Sequence, residues 1–210
     1  MRIGIFGGTF NPVHIGHLRP VEEARIYFNL NKVIFIPAKI PPHKNINNVV
    51  SPFERLKILK LAVEDNPFFE VSDIELHFEG KSFTYNTLIK LTQLFHLDDL
   101  YLIIGKDSFY SFKTWHRWNE ILKMVNLIVL NRKISEKDYP DELEFAKSLG
   151  YNRKENFYEN SYNKTLQFFN NSIIEVSSTK IRENFKSGIS NRYLIPEKAL
   201  QYIIKKNLYV

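Results

Sequence analysis

The sequence predicts an α/β fold, with a doubly wound, mainly parallel sheet and flanking helices. Three observations predict it. Short apolar runs rich in β-branched and aromatic residues recur along the chain, and most are continuous rather than alternating, as strands buried on both faces are. Helix-like segments with a 3.6-residue apolar period lie between them. The loops after these runs repeatedly carry Gly, His, Lys, Asp, Ser and Arg, and the carboxyl ends of strands are where ligands sit in open α/β sheets.

The elements follow in order. "IGIF" (3–6) reads as the first strand. In "RPVEEARIYF", Val21, Ala24 and Tyr27/Phe28 share one helical face. "KVIFIP" (32–37) is the second strand. "SPFERLKILKLAV" opens as a helix should, with Ser51 at the N-cap, Pro52 in the first turn and Glu54 three residues on, and Leu56, Leu59 and Val63 form its stripe. "FFEVS" (68–72), "LYLIIG" (100–105) and "NLIVLN" (126–131) are further strands, and "TLIKLTQLF" and "HRWNEILKM" further helices. "IIEVS" (173–177) reads as the sixth strand. Pro196 starts a last helix whose Ala199, Leu200, Ile203 and Ile204 repeat at helical spacing. Residues 132–172 carry the weakest pattern; apart from a helix in "PDELEFAKSLG" ending at Gly150, they read as a surface excursion. One domain over 1–210 is expected, with 177–210 as its C-terminal helical part.

Composition narrows the function. The chain has 210 residues, 44% of them hydrophobic and 25% charged, which suits a soluble globular domain. It contains no cysteine, which excludes disulfides, thiolate metal sites and a cysteine nucleophile. No apolar run has the length of a membrane span, and the run in "MRIGIFGG" is too short and glycine-broken for a signal peptide, so a cytoplasmic protein is expected. The formal charge of +6 suits nucleic acid or small polyanions, although scattered lysines also give an ordinary solvated surface.

The first loop is the most informative. "GGTFNPVHIGHL" (7–18) follows the first strand. Gly7 and Gly8 allow a sharp turn and close backbone approach to a ligand, and the helix starting near Val13 to Gly16 aims its amides at the same rim. His14 and His17 are three apart and share a face there. Two imidazoles at a helix start can donate to phosphate oxygens and stabilise charge during phosphoryl or nucleotidyl transfer. A lone histidine more often packs or caps locally. Two after a double glycine and a strand favour an anion site.

Other loops add to it. Lys44, after Pro41-Pro42 and His43, is a point charge for phosphate or an ordinary surface lysine. Asp107 in "GKDSF" can accept from ribose hydroxyls or an amino group. Trp115 can stack on a heteroaromatic ring, though a tryptophan is more commonly core. Ser177, Ser178, Thr179 and Arg182 in "SSTKIR" combine hydroxyls and a guanidinium at a helix start, a second phosphate cradle beyond what one N-cap serine explains. No G-x-G-x-x-G or Walker A motif occurs. No H-E-x-x-H or histidine–carboxylate cluster occurs either, so no metal ligands are assigned.

"GGTFNPVHIGH" resembles the G-x-F-x-P-x-H-x-G-H motif of the nucleotidyltransferase superfamily that shares the "HIGH" signature with class I aminoacyl-tRNA synthetases, and "SSTKIR" its second signature. "PPHK", "GKSFTYNTL", "IIGKDSF", "TWHRW" and "YLIPEKALQYIIKKNLY" are similar to the bacterial nicotinate-nucleotide adenylyltransferases. The resemblance covers the chain apart from about 132–172. It implies a Rossmann-like fold and adenylyl transfer from ATP to nicotinate mononucleotide, giving deamido-NAD and pyrophosphate. By this resemblance His14, His17 and Arg182 are catalytic. Gly8, Thr9, Phe10, His14, His17, Gly105, Asp107, Ser177, Ser178, Thr179 and Arg182 bind ATP. Lys44, Thr84, Trp115 and His116 bind the acceptor, with Trp115 stacked on the pyridine. Mg²⁺ arrives with ATP. Phe78, Phe83 and Asn86 depart from the family's arginine, tyrosine and aspartate, and Asn11 stands where aspartate is common. Nicotinamide mononucleotide or phosphopantetheine is the alternative acceptor. A nucleic-acid-binding module is the alternative class, weakened because no basic–aromatic motif is present. No nucleic-acid or membrane partner is expected, and a homo-oligomer is compatible with the sequence.

Overall fold

The computed structural model describes residues 1–41, 49–131 and 139–210. Its sheet is built on β1 (Arg2–Gly8), followed by α1 (Ile15–Tyr27) and β2 (Lys32–Pro37), then α2 (Pro52–Val63), β3 (Phe69–Val71), α3 (Thr84–Leu94) and β4 (Asp99–Gly105). The short α4 (Lys106–Tyr110), α5 (Trp118–Met124), β5 (Asn126–Leu130) and α6 (Glu142–Ser148) come next. Three strands, β6 (Asn152–Arg153), β7 (Tyr158–Glu159) and β8 (Thr165–Phe169), precede α7 (Ser178–Lys186) and α8 (Glu197–Lys205).

The strand order is β3-β2-β1-β4-β5-β8-β7-β6. The pairings from β3 through to β8 are parallel, and only β7 with β8 and β6 with β7 are antiparallel. The chain therefore winds outward from β1 in one direction, then returns to place β4 on the other side of β1. That reversal opens a crevice at the carboxyl ends of β1 and β4.

The continuous apolar strands are explained by a core on each face. Ile3, Ile5, Ile34, Ile36, Leu102 and Ile104 point to one side, under α3, α5 and α6. Val33, Phe35, Ile103 and Ile128 point to the other, under α1, α2, α7 and α8. The central positions of β1, β2, β4 and β5 thus meet a helix layer on either face, and no polar face is needed there.

Several expectations are adjusted. On α1, Val21, Ala24 and Phe28 enter the core and Tyr27 does not, being 68% exposed. On α2, Ser51 caps as expected, accepting from the Glu54 amide at 3.2 Å. Its inward face carries Arg55, Ile58, Leu59 and Val63, with Leu56 only half-buried. Ile204 on α8 faces outward while Ala199, Leu200 and Ile203 are buried.

The sixth strand is corrected. "IIEVS" at 173–177 is not a strand; the segment beside β5 is "TLQFF", with Leu127 opposite Leu166 and Leu130 opposite Phe169. Leu166 is fully buried there while Ile173 is 52% exposed. Beyond Phe169 the chain leaves the sheet. Asn171 donates to the Asn131 carbonyl at 3.1 Å and the Ser172 amide to Glu23 at 2.7 Å. The helix expected in "PDELEFAKSLG" is α6 (Glu142–Ser148), but where the rest of that region was expected to be a surface excursion, the described residues supply three strands of the sheet.

Candidate active site

A cleft of about 370 Å³ opens at the carboxyl ends of β1 and β4. Of the expected residues, Gly8, Thr9, Phe10, His17, Thr84, Gly105, Asp107 and Trp115 line it. His14, His116, Ser177, Ser178, Thr179 and Arg182 do not line it. Lys44 lies outside the described residues.

The first loop is shaped by packing. Phe10 adopts φ 47° and is buried, and a Cβ on Gly8 would stand 3.0 Å from its ring. Glycine lets that ring pack against the strand end without being pushed aside. His14 is the N-cap of α1 and is 1% exposed. Its ring lies 3.8 Å from that of His17. The two imidazoles are therefore layered, one beneath and one toward the cleft. His17 Nδ1 accepts from the His14 amide at 3.3 Å. In the neutral ring the hydrogen then sits on Nε2, which makes Nε2 the donor. Phe10 meets the His17 ring edge-on at 5.3 Å and limits its swing.

The second signature reaches the first through the backbone. Ser177 caps α7, accepting from the Lys180 amide at 3.2 Å. The Ser178 hydroxyl donates to the Pro12 carbonyl at 2.8 Å, and Arg182 donates to the Asn11 carbonyl at 2.9 Å and to Thr179 Oγ1 at 3.2 Å. Asn11, the departure from aspartate, accepts from the Val50 amide at 3.2 Å. A Cβ on Gly16 would lie 2.7 Å from Val176 and 3.1 Å from the His14 ring. Glycine there lets α1 and the approach to α7 close together.

The opposite wall is aromatic. Trp115 stacks on Phe112 at 4.9 Å and lines the cleft. Phe83 and the exposed His116 stand 4.7 Å apart, and Arg117 lies 4.2 Å over Tyr85. Phe83, the departure from tyrosine, retains this ring contact. Phe78, the departure from arginine, is buried, and Lys90 stands 4.3 Å over its ring. Asn86 is exposed.

Two buried polar residues were missed by sequence reasoning. Glu75 lines the cleft, accepts from the Thr87 hydroxyl at 2.7 Å, and is held above the usual carboxylate range by burial, opposed by Thr87, Ser82 and Arg55. Arg55 is buried on α2, and burial lowers its affinity for the proton. A charged residue on the apolar face of "FERLKILKLAV" was the available signal for Arg55. Among the described residues, no group of three or more His, Asp or Glu side chains comes together as a metal cage.

The cytidylyltransferase-like family model matches residues 5–184. A probable nicotinate-nucleotide adenylyltransferase of Desulfitobacterium hafniense (strain Y51) is 42% identical over 208 residues, 99% of this chain and 95% of that protein. One from Dictyoglomus thermophilum is 40% identical over the whole of both chains. Among solved structures, Plasmodium falciparum nicotinic acid mononucleotide adenylyltransferase complexed with NaAD has a TM-score of 0.74 at 16% identity, covering 99% of this chain and 97% of that one. That last likeness is one of fold, and the fold is the Rossmann-like one expected. The chain belongs to the cytidylyltransferase-like family, within its nicotinate-nucleotide adenylyltransferase branch.

Proposed function

We propose that this member of the family transfers the adenylyl group of ATP to nicotinate mononucleotide, in NAD biosynthesis. The acceptor's 5′-phosphate oxygen attacks the α-phosphorus, the bond to the β-phosphate breaks, and pyrophosphate leaves. No covalent enzyme intermediate is required. The carrying observation is the direct joining of the two signature segments beside the cleft, by Ser178 to the Pro12 carbonyl and Arg182 to the Asn11 carbonyl, behind the loop whose Gly8, Thr9 and Phe10 line it.

In this reading the first loop and α7 hold the triphosphate. His17, with Nε2 as donor, stabilises charge building at the α-phosphate, and His14 beneath it fixes its ring. Arg182, Ser177, Ser178 and Thr179 hold the outer phosphates; Arg182 lies beside the loop, and its engagement with phosphate requires a local side-chain adjustment. Gly105 and Asp107 face the nucleotide. Thr84 and the Trp115–His116 backbone grip the nicotinate carboxylate, and Trp115 stacks on the pyridine; Lys44, assigned to a phosphate from the sequence, lies outside the described residues. Asp107 is the cleft's exposed carboxylate, which suits a Mg²⁺ ion held mainly by phosphates and water. Bound there, Mg²⁺ would neutralise phosphate charge. No helix among the described residues is long and apolar enough to cross a membrane, which agrees with a cytoplasmic enzyme.

A pyrophosphate-release assay with ATP against nicotinate mononucleotide, nicotinamide mononucleotide and phosphopantetheine tests the acceptor. Highest kcat/KM with nicotinate mononucleotide is expected, and equal or better turnover of phosphopantetheine overturns it. In the same assay His17→Ala is expected to lose about 10²–10³ in kcat while staying folded, the cost of removing one donor to transition-state charge. Near-normal turnover in that variant sinks the catalytic role.

A further inference from the structure

We infer that Arg55 is a positioning residue that sets the register between the two walls of the cleft. The inference rests on the reading of the cleft as a site for two nucleotides. Arg55 lies on α2, does not line the cleft, and is 1% exposed. Its guanidinium donates to the carbonyls of Thr9 at 2.6 Å, Ala38 at 2.6 Å, Lys39 at 3.2 Å and Val50 at 2.9 Å. These acceptors come from three separate segments: the loop after β1, the loop after β2, and the entry to α2. A guanidinium is a rigid plane of donors, so it fixes the spacing of the carbonyls it bridges.

The connection continues to the far wall. The Lys39 and Ile40 amides donate to Ser82 Oγ at 2.8 and 3.3 Å, and the Ser82 amide donates back to the Ile40 carbonyl at 3.0 Å. Ser82 leads directly into Phe83 and Thr84, where α3 begins. Glu75 holds the Thr87 hydroxyl one turn further on. An unbroken set of hydrogen bonds thus runs from Thr9, on the wall assigned to ATP, through Arg55 to the segment carrying Thr84, on the wall assigned to the acceptor.

Stability alone is a poor reason for this residue. A buried guanidinium carries a desolvation cost that an apolar side chain at the same place would not. Ile58 and Leu59, its neighbours on the inward face of α2, carry no such cost, but they also satisfy no carbonyl. What an apolar residue cannot do is tie two loops to each other at fixed distance. In-line transfer needs that distance, because the acceptor oxygen and the α-phosphorus are held by different walls.

The test is Arg55→Lys, which keeps the charge but not the planar fork. Titration calorimetry measures ATP alone, nicotinate mononucleotide alone, and the dinucleotide product, which spans both walls. Each single nucleotide is expected to bind within about threefold of the parent, while the dinucleotide weakens at least about tenfold and kcat falls up to about 100-fold, the scale of a 1 Å misplacement. A merely structural role lowers the fitted stoichiometry of binding-competent protein and leaves every Kd unchanged. Unchanged affinities, or equal weakening of all three ligands, overturn the inference. Ser82→Ala breaks the next link without touching the charge and must show the same split, also if Arg55→Lys fails to fold. A parent protein that binds the dinucleotide no better than ATP refutes the two-nucleotide reading instead, before any variant is made.

Discussion

The two walls of the cleft are built differently. The wall formed by the first loop, with α7 packed behind it, is held by hydrogen bonds from remote side chains to main-chain carbonyls: Arg55 to Thr9, Arg182 to Asn11 and Ser178 to Pro12. The wall formed by the Phe83–Tyr85 and Trp115–Arg117 segments is held largely by ring contacts, Trp115 on Phe112 and Phe83 beside His116. Buried carbonyls that lose a charged donor are left unsatisfied, so the first wall resists reshaping. Ring contacts are less directional and tolerate exchange of one aromatic residue for another. Phe78, Phe83 and Asn86 all fall in or beside the second wall, where Phe83 keeps its contact without a hydroxyl. A rigid wall suits the phosphate chemistry common to the family, and an adaptable one suits choice of acceptor.

Substitutions that separate the walls test this difference. The largest effect is expected from Gly16→Ala, whose new Cβ would stand 2.7 Å from Val176. Overpacking of this kind costs about 1–3 kcal/mol, read as a lowered midpoint in denaturant with reduced turnover of both substrates. Gly7→Ala, whose Cβ would meet nothing within 4 Å, serves as the stability control. Equal stability of the two variants breaks the picture of a tightly closed first wall. A smaller effect follows from Trp115→Ala. Loss of a stacking partner worth about 0.5–1.5 kcal/mol raises the acceptor's KM about twofold to tenfold and leaves the KM for ATP unchanged. A matched rise in both would mean that the walls do not divide the substrates.

The smallest effect concerns Glu75. Burial holds its carboxyl above the usual carboxylate range, so the folded protein binds that proton more tightly than the unfolded chain. Its stabilisation is therefore fully present below the unfolded value and is lost as pH rises through the raised folded value. Glu75→Gln removes this dependence. The variant's melting temperature should improve relative to the parent's as pH rises from the acid range toward neutral. A difference that stays flat with pH refutes the assignment of the shift.

Much of this was legible because its causes are local. β1, β2, β4 and β5 are found where continuous apolar runs stand, since residues buried on both faces need no partner information to be recognised, and the short β3 falls within "FFEVS". The caps at Ser51 and Ser177 follow from hydroxyls placed directly before helical periods. "TLQFF" failed for the opposite reason. Its propensity differs little from that of "IIEVS", and the choice between them was made by the ladder with β5 and by the buried place of Leu166.

By itself, the sequence determined the α/β class, the strands from β1 to β5, and which loops carry the residues proposed to bind anions. Each depends on interactions within a few residues. Only the tertiary structure decided that His17 lines the cleft while His14 lies buried against it, that Arg182 and Ser178 reach carbonyls 171 and 166 residues away, and that Arg55 ties the loop after β1 to the loop after β2. Those are choices of distant partner, and periodicity and capping carry no record of which distant carbonyl a buried donor will meet.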